Sequence, residues 1–250
     1  MTSLGTNCAL VLGASGGLGS ALVTKFLSDS AITSVFAVSS QGQPSAPSNP
    51  ISPGNKLVWI KTEYDEQSMA GVVDQLKPYA GHFARVCICH GLLHSKTIWP
   101  EKRLEDINAE ALHEIFQSNT VVPALWLKLL FKVLKGKTPC VVVTMSARVG
   151  SIGDNRMGGW HSYRASKAAL NMVLQNMAIE YARRAKNVKL IAFHPGTTDT
   201  GLSKPFQASV PSGKLFAPAF VASQLAEILA NAELDGQLSY VDWKGQTITW

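Results

Sequence analysis

Two groups of residues in this sequence have the types and the spacing to do chemistry together. Tyr163-Arg-Ala-Ser-Lys167 opens a helical run, and a separation of four sets a phenol and an ammonium on one helix face. A free phenol has a pKa near ~10. A unit positive charge ~4 Å away, at an effective dielectric of ~20, favours the phenolate by about 4 kcal/mol, or roughly three pKa units. That brings Tyr163 toward neutral pH, where it can act as a general acid or base. The second group is Gly13-Ala-Ser15-Gly16-Gly17-Leu18-Gly19, which follows an apolar run and leads into the amphipathic stretch Ser20 to Leu27. Glycines there let the backbone turn tightly, approach a pyrophosphate closely and present helix N-terminal amides to it. Taken singly, the first group is an ordinary solvated pair and the second a tight connection. Their common setting gives them meaning.

That setting is an alternation. Apolar runs of strand length lie at Cys8 to Leu12, Ser34 to Val38, Leu57 to Ile60, Arg85 to Cys89, Cys140 to Met145, Val188 to Phe193 and Leu238 to Val241. Helical patterns start between them, near Gly17, Glu66, Glu110, His161 and Pro218. The alternation predicts an α/β fold of the Rossmann type, a doubly wound parallel sheet covered on both faces, in one domain spanning residues 1–250. Gln41 to Asn55 breaks the rhythm with Pro44, Pro47, Pro50 and Pro53 and is expected to be an extended loop. Pro123 lies inside a helical pattern and predicts a kink or a junction of two helices.

Composition narrows the function. With 46% hydrophobic and 16% charged residues, the 250-residue chain can bury one large core. The +6 formal charge is dispersed except at Arg183, Arg184, Lys186 and Lys189, where a helix end accounts for it, so no nucleic-acid partner is expected. No run reaches the ~18 apolar residues of a membrane span, and Met1 to Asn7 lacks the features of a secretory signal. The expectation is a cytoplasmic protein without a membrane partner. Cys8, Cys87, Cys89 and Cys140 lie in strand-like runs, and neither a CxxC motif nor a second ligand pair points to redox chemistry or a metal site.

The glycine turn, Asn119, Tyr163-x-x-x-Lys167 and Pro195-Gly196-x-x-x-Thr200 occur in the order that resembles the short-chain dehydrogenases/reductases over nearly the whole chain. Ser146-Ala-Arg-Val-Gly-Ser-Ile and Gly158-Gly-Trp-His-Ser-Tyr-Arg-Ala-Ser-Lys167 are similar to the C-factor-like and sniffer-like carbonyl reductase branch. The resemblance implies an NAD(P)-dependent oxidoreductase in which Tyr163 gives a proton to a carbonyl. Lys167 would lower the phenol's pKa and bind the nicotinamide ribose, and Asn119 would hold a relay water. Pro195, Gly196, Thr198 and Thr200 would close over the nicotinamide. A homodimer or homotetramer through the helices around Asn119 and after Tyr163 is also implied.

Three departures qualify the resemblance. The family's Asn-Asn-Ala-Gly reads Ile88-Cys-His90-Gly91, leaving Gly91 and His90 to meet the cofactor. The second strand ends Ala37-Val-Ser39-Ser40, without the acid that would hold a ribose diol. Neutral hydroxyls do not repel a 2′-phosphate, which favours NADP over NAD. Ala147 stands where the family has its catalytic serine, leaving Ser146 as the substitute and Ser151 as its rival. The expected substrate is a small or medium apolar carbonyl or alcohol, walled by Leu92, Trp160 and Phe206 under a loop from Leu202 to Phe216. The alternative is a signalling protein that keeps the cofactor without turnover, to which Ala147 points.

Overall fold

The computed structural model describes residues 7–42 and 56–250. Most of the proline-rich stretch, with Pro44, Pro47, Pro50 and Pro53, lies outside the described residues. Strand β1 (Cys8–Leu12) lies inside a parallel sheet and leads into helix α1 (Gly17–Leu27). Then come β2 (Ser34–Ser39), β3 (Lys56–Lys61), α2 (Glu66–Leu76), β4 (Phe83–Ile88) and α3 (Ala109–Phe116). The chain continues through α4 (Val122–Leu134), β5 (Cys140–Met145), α5 (His161–Arg184) and β6 (Val188–His194). Two short strands, β7 (Thr197–Thr198) and β8 (Leu215–Phe216), precede α6 (Pro218–Ala230) and β9 (Ser239–Asp242). The sheet order is β3-β2-β1-β4-β5-β6-β9, every pairing parallel. This is the doubly wound arrangement, whose order reverses between β1 and β4 and opens a crevice at the carboxyl ends of the strands.

Alternation along the strands fills two cores. Cys8, Leu10 and Leu12 point with Val86, Ile88 and Val142 to the face covered by α2, α4 and α5. Ala9 and Val11 point with Cys87 and Val143 to the face covered by α1 and α6. Residues of a strand take opposite faces in turn, and a sheet buried on both sides needs apolar residues throughout. Cys87 is a core residue of that second face with Cys89 packed beside it, and the four cysteines form no disulfide. Burial pushes Cys8 up to about 11 and Cys89 and Cys140 up to about 12, which leaves them protonated and inert. The basic cluster is also structural. Arg184 pairs with Glu180 and lies over the Phe131 ring, and the buried Lys189 pairs with Asp235.

Pro123 marks a junction of two helices. Between α3 and α4 the backbone makes one π turn, Gln117–Val121, and Pro123 follows it in the first turn of α4. Strands β7 and β8, too short to leave a pattern in the sequence, pair in parallel with each other rather than with the main sheet.

The glycines divide by what surrounds them. A Cβ on Gly19 would lie 2.2 Å from the Gly13 carbonyl oxygen, whereas one on Gly71, exposed inside α2, meets nothing within 4 Å. Gly19→Ala should therefore destabilise the fold by about 1–3 kcal/mol through overpacking. Gly71→Ala should stabilise it by about 0.4–1 kcal/mol through helix propensity and a stiffer unfolded chain. Urea unfolding of both variants checks the opposite signs.

Candidate functional site

The crevice at the carboxyl ends of the strands holds a cavity of about 600 Å³. The glycine turn forms one side. Gly13 takes a left-handed φ of +81°, and Gly16 precedes α1 without any side-chain cap or first-turn acid. The first amides of α1 therefore stay available to an anion. Gly16, Gly17, Leu18 and Gly19 line the cavity, while Gly13 and Ser15 shape the turn behind them. A Cβ on Gly17 would come within 2.8 Å of Thr200, so the turn and the loop after β6 close on each other around a space only glycine leaves open. Pro195, Gly196, Thr198 and Thr200 line the opposite side.

Tyr163 and Lys167 meet the cavity from the first turns of α5, both buried. The Lys167 ammonium donates to the Met145 carbonyl at 2.8 Å and lies 5.7 Å from the Tyr163 ring centroid. Gly150 permits this approach, because a Cβ there would stand 2.8 Å from the Lys167 Cβ. The expected effect of Lys167 on the phenol is reversed in the protein alone. Burial pushes the Tyr163 phenol well above its usual range and pulls Lys167 down to about 7. Losing water costs both charged forms more than the pair recovers, and near neutrality the ammonium that would favour a phenolate is itself half lost.

Asn119 sits fully buried in the π turn, beside the cavity rather than in its wall. Its Oδ1 accepts from the Leu92 amide at 2.7 Å, and its Nδ2 donates to the Leu92 carbonyl at 2.8 Å and to Ser166 Oγ at 3.0 Å. Ser166 in turn donates to the Tyr163 carbonyl at 2.8 Å. With both amide hydrogens committed, Asn119 ties the loop after β4 to α5.

Several other expected residues stand differently. Ser39 is fully buried and its hydroxyl donates to the Gly42 carbonyl, since the last residue of β2 points into the sheet's packing. It does not face a 2′-phosphate, and Ser40 is the exposed neighbour. Leu92 packs with Ile98, Ala111 and Ile115, and Leu93 takes the wall beside Ala147 and Tyr163, because Asn119 fixes the Leu92 backbone and the next side chain turns the other way. Ser146 lines the cavity, but its hydroxyl donates to Asn171 Oδ1 at 2.6 Å. Ser151 accepts from the Asp154 amide and is not part of the wall. His90 and Gly91 do line the cavity, and burial holds His90 neutral, down to about 4, with a buried Nδ1 that has no hydrogen-bond partner among the described residues.

Trp160 and Phe206 form the expected aromatic wall, with centroids 5.2 Å apart and Trp160 6.2 Å from Tyr163. His94 and Trp99 extend it outward from Phe206. Gly158, Gly159 and Trp160 are successive left-handed residues, and for Trp160 this conformation costs on the order of 1–3 kcal/mol. His194, at the end of β6, and Val210 and Lys214, in the loop beyond it, also line the cavity, and nothing in the sequence singles them out, because a strand end and a loop carry no periodicity to read.

Fold and site together define a nucleotide-binding α/β protein with a buried Tyr–Lys pair at its crevice. The short chain dehydrogenase family model matches residues 7–210, and the chain belongs to that family of oxidoreductases. A benzil reductase ((S)-benzoin forming) of Bacillus cereus is 24% identical over an alignment covering 93% of this chain and 98% of the relative. The C-signal protein of Myxococcus xanthus is 33% identical over 44% of this chain and 60% of its own. In fold, the NADPH-bound carbonyl reductase from chicken fatty liver superposes with a TM-score of 0.79 at 20% identity, covering 99% of this chain and all of the other.

Burial of Lys167 also makes stability depend on pH. The unfolded chain binds its proton up to about 10.5, the folded chain only up to about 7, so this residue's contribution rises with pH between those values. Lys167→Met lacks the effect. The stability of the parent minus that of the variant, from urea unfolding at pH 6.5 to 9, should climb by no more than about 1.4 kcal/mol per pH unit. A flat difference would mean the ammonium is not desolvated.

Proposed function

We propose that this chain is a carbonyl reductase that uses NADPH to reduce an apolar carbonyl compound to its alcohol, with Tyr163 as proton donor. The observation that carries the reading is the Tyr163 phenol, which opens on the cavity with no hydrogen-bond partner among the described residues and shares that space with Lys167 and the glycine turn. A phenol whose pKa burial has raised keeps its proton at neutral pH, and the alkoxide formed from a carbonyl is a stronger base than any phenolate. The site is thus set for the reducing direction. No helix among the described residues is long and apolar enough to cross a membrane.

The residues present fit a nicotinamide dinucleotide. The bare amides of α1 and the Gly17–Thr200 cradle suit the pyrophosphate, Lys167 and the unpartnered His90 Nδ1 suit ribose hydroxyls, and Pro195 to Thr200 suit the nicotinamide end. When bound, the reduced cofactor supplies the hydride. Tyr163 gives its proton to the carbonyl oxygen as the carbon gains that hydride, and the phenolate regains a proton from solvent. Ser146 is the candidate second donor to the oxygen, after turning its hydroxyl away from Asn171. Ala147 in the serine's place leaves a methyl beside Tyr163, and with Leu93, Val149, Trp160 and Phe206 it makes the wall apolar. That wall, and the likeness to benzil reductases, favour a substrate that carries an aromatic ring. The exposed apolar residues Val121 of the π turn and Met172 and Ile179 of α5 support self-association through these helices.

Turnover also separates this reading from a signalling role without catalysis. A panel of aryl aldehydes and ketones, followed by nicotinamide absorbance, should reveal NADPH oxidation faster than NADH oxidation. Tyr163→Phe should cut kcat by about 10²–10⁴ while the Kd for NADPH stays within about twofold. Ser146→Ala should cost on the order of a hundredfold and Ser151→Ala almost nothing. Absence of turnover on the whole panel, or a Tyr163→Phe enzyme as fast as the parent, would defeat the assignment.

A further inference from the structure

Helix α5 carries Tyr163 as its third residue, yet its opening has no cap of its own. The residue before it is Trp160, left-handed and without a side chain that can accept from the first-turn amides. The cap comes from elsewhere. Glu101, in the loop after β4, is 4% exposed, and its two carboxylate oxygens accept from the Ser162 amide at 3.3 and 3.2 Å while the Ser162 hydroxyl donates to Oε1. The Glu101 backbone carbonyl accepts from the Trp160 amide, so the same residue grips the strained turn on both sides of His161.

No cation pairs with this buried carboxylate among the described residues. Burying an unpaired carboxylate is costly, and here it is offset only by N–H and O–H donors and by the positive end of a 24-residue helix. Its platform is fixed from the other side, where Asp106 accepts from the Lys102 and Arg103 amides at 3.1 and 3.0 Å. An apolar side chain would fill this place but leave the Ser162 amide and hydroxyl buried without their acceptor. What the carboxylate adds is direction. It holds Ser162, one residue from Tyr163, while the Glu101 backbone carbonyl holds the Trp160 amide, so one residue sets the helix opening and the aromatic wall relative to the loop that carries Leu93.

We propose that Glu101 is a positioning residue for the active site, capping the catalytic helix from a separate loop and fixing both the Tyr163 phenol and the Trp160 wall. The proposal rests on Tyr163 being the proton donor. A misplacement of about 1 Å in a reacting group can cost about a hundredfold in rate. Glu101→Ala should therefore lower kcat by about ten- to a hundredfold with the Kd for NADPH within about twofold. Glu101→Gln, which keeps one acceptor for the Ser162 amide, should fall between the two. Ser162→Ala should lower kcat as well, and in the Glu101→Ala background it should add little further loss. Independently of activity, hydrogen exchange at the Ser162 and Arg164 amides should quicken about tenfold in Glu101→Ala and less in Glu101→Gln. Unchanged kcat in both Glu101 variants, with Tyr163→Phe inactive, would overturn the proposal, as would unaltered exchange at those amides. If Tyr163→Phe stays active, it is the proton-donor reading that falls, and the exchange data still decide whether Glu101 holds the turn.

Discussion

One buried amide holds together the parts of this molecule that must meet for chemistry. Asn119 bonds the backbone of Leu92 on both its N–H and C=O and passes a third bond through Ser166 to the carbonyl of Tyr163. Three segments that are far apart in sequence thereby share one geometry. Each such bond contributes only about 0.5–1.5 kcal/mol, but removing the amide strands several buried polar groups at about 1–3 kcal/mol each. The π turn makes this possible. One extra residue in the helix rotates Asn119 inward among apolar neighbours, where a regular α-helix would carry its pattern past without a break. Thr120 adds a bond from its hydroxyl to the Ser166 carbonyl, so the turn is stitched to α5 at two adjacent positions.

Desolvation is the second organising force. The carboxyl edge of the sheet collects Tyr163, Lys167, His90 and His194 in one enclosed space, and burial drives each of them toward its neutral form. The resulting site carries little fixed charge of its own. A dinucleotide with its phosphates would be the most highly charged object in it, met by amides and by the mobile proton of Lys167 rather than by a standing ion pair.

The sheet, its helices and the residues Tyr163, Lys167 and Gly13 to Gly19 are legible in the sequence because each is written locally, in periodicity, in spacing or in glycine. What is not legible depends on distant partners. Position at a strand end puts Ser39 at the site and residue type puts Leu92 there, but their direction follows from which way a strand end or a clamped loop turns, and Gly42 and Asn119 decide that. The acidity of Tyr163 is hidden in the same way, since a lysine four residues away is visible in the sequence and the water removed by the whole fold is not. Glu101 is illegible as a cap because its partner lies 61 residues on. The one signal pointing to it is negative, a long helix opening on a tryptophan where a capping side chain belongs.

The small β7–β8 pairing bears on how this scaffold can change. Thr197 and Thr198 bond to Leu215 and Phe216, and the Asp199 amide bonds to the Phe216 carbonyl, so the segment over the cavity leaves and rejoins the molecule at a single point. A chain segment whose ends are already joined behaves as a closed loop, and doubling its length adds only about 0.6 kcal/mol of closure entropy. The lid is in effect a separable cassette. It can be lengthened, shortened or exchanged at its tip while the main sheet, the glycine turn and the helix bearing Tyr163 keep their register, so the lining of the cavity can drift in evolution while the rest of the crevice stays as it is.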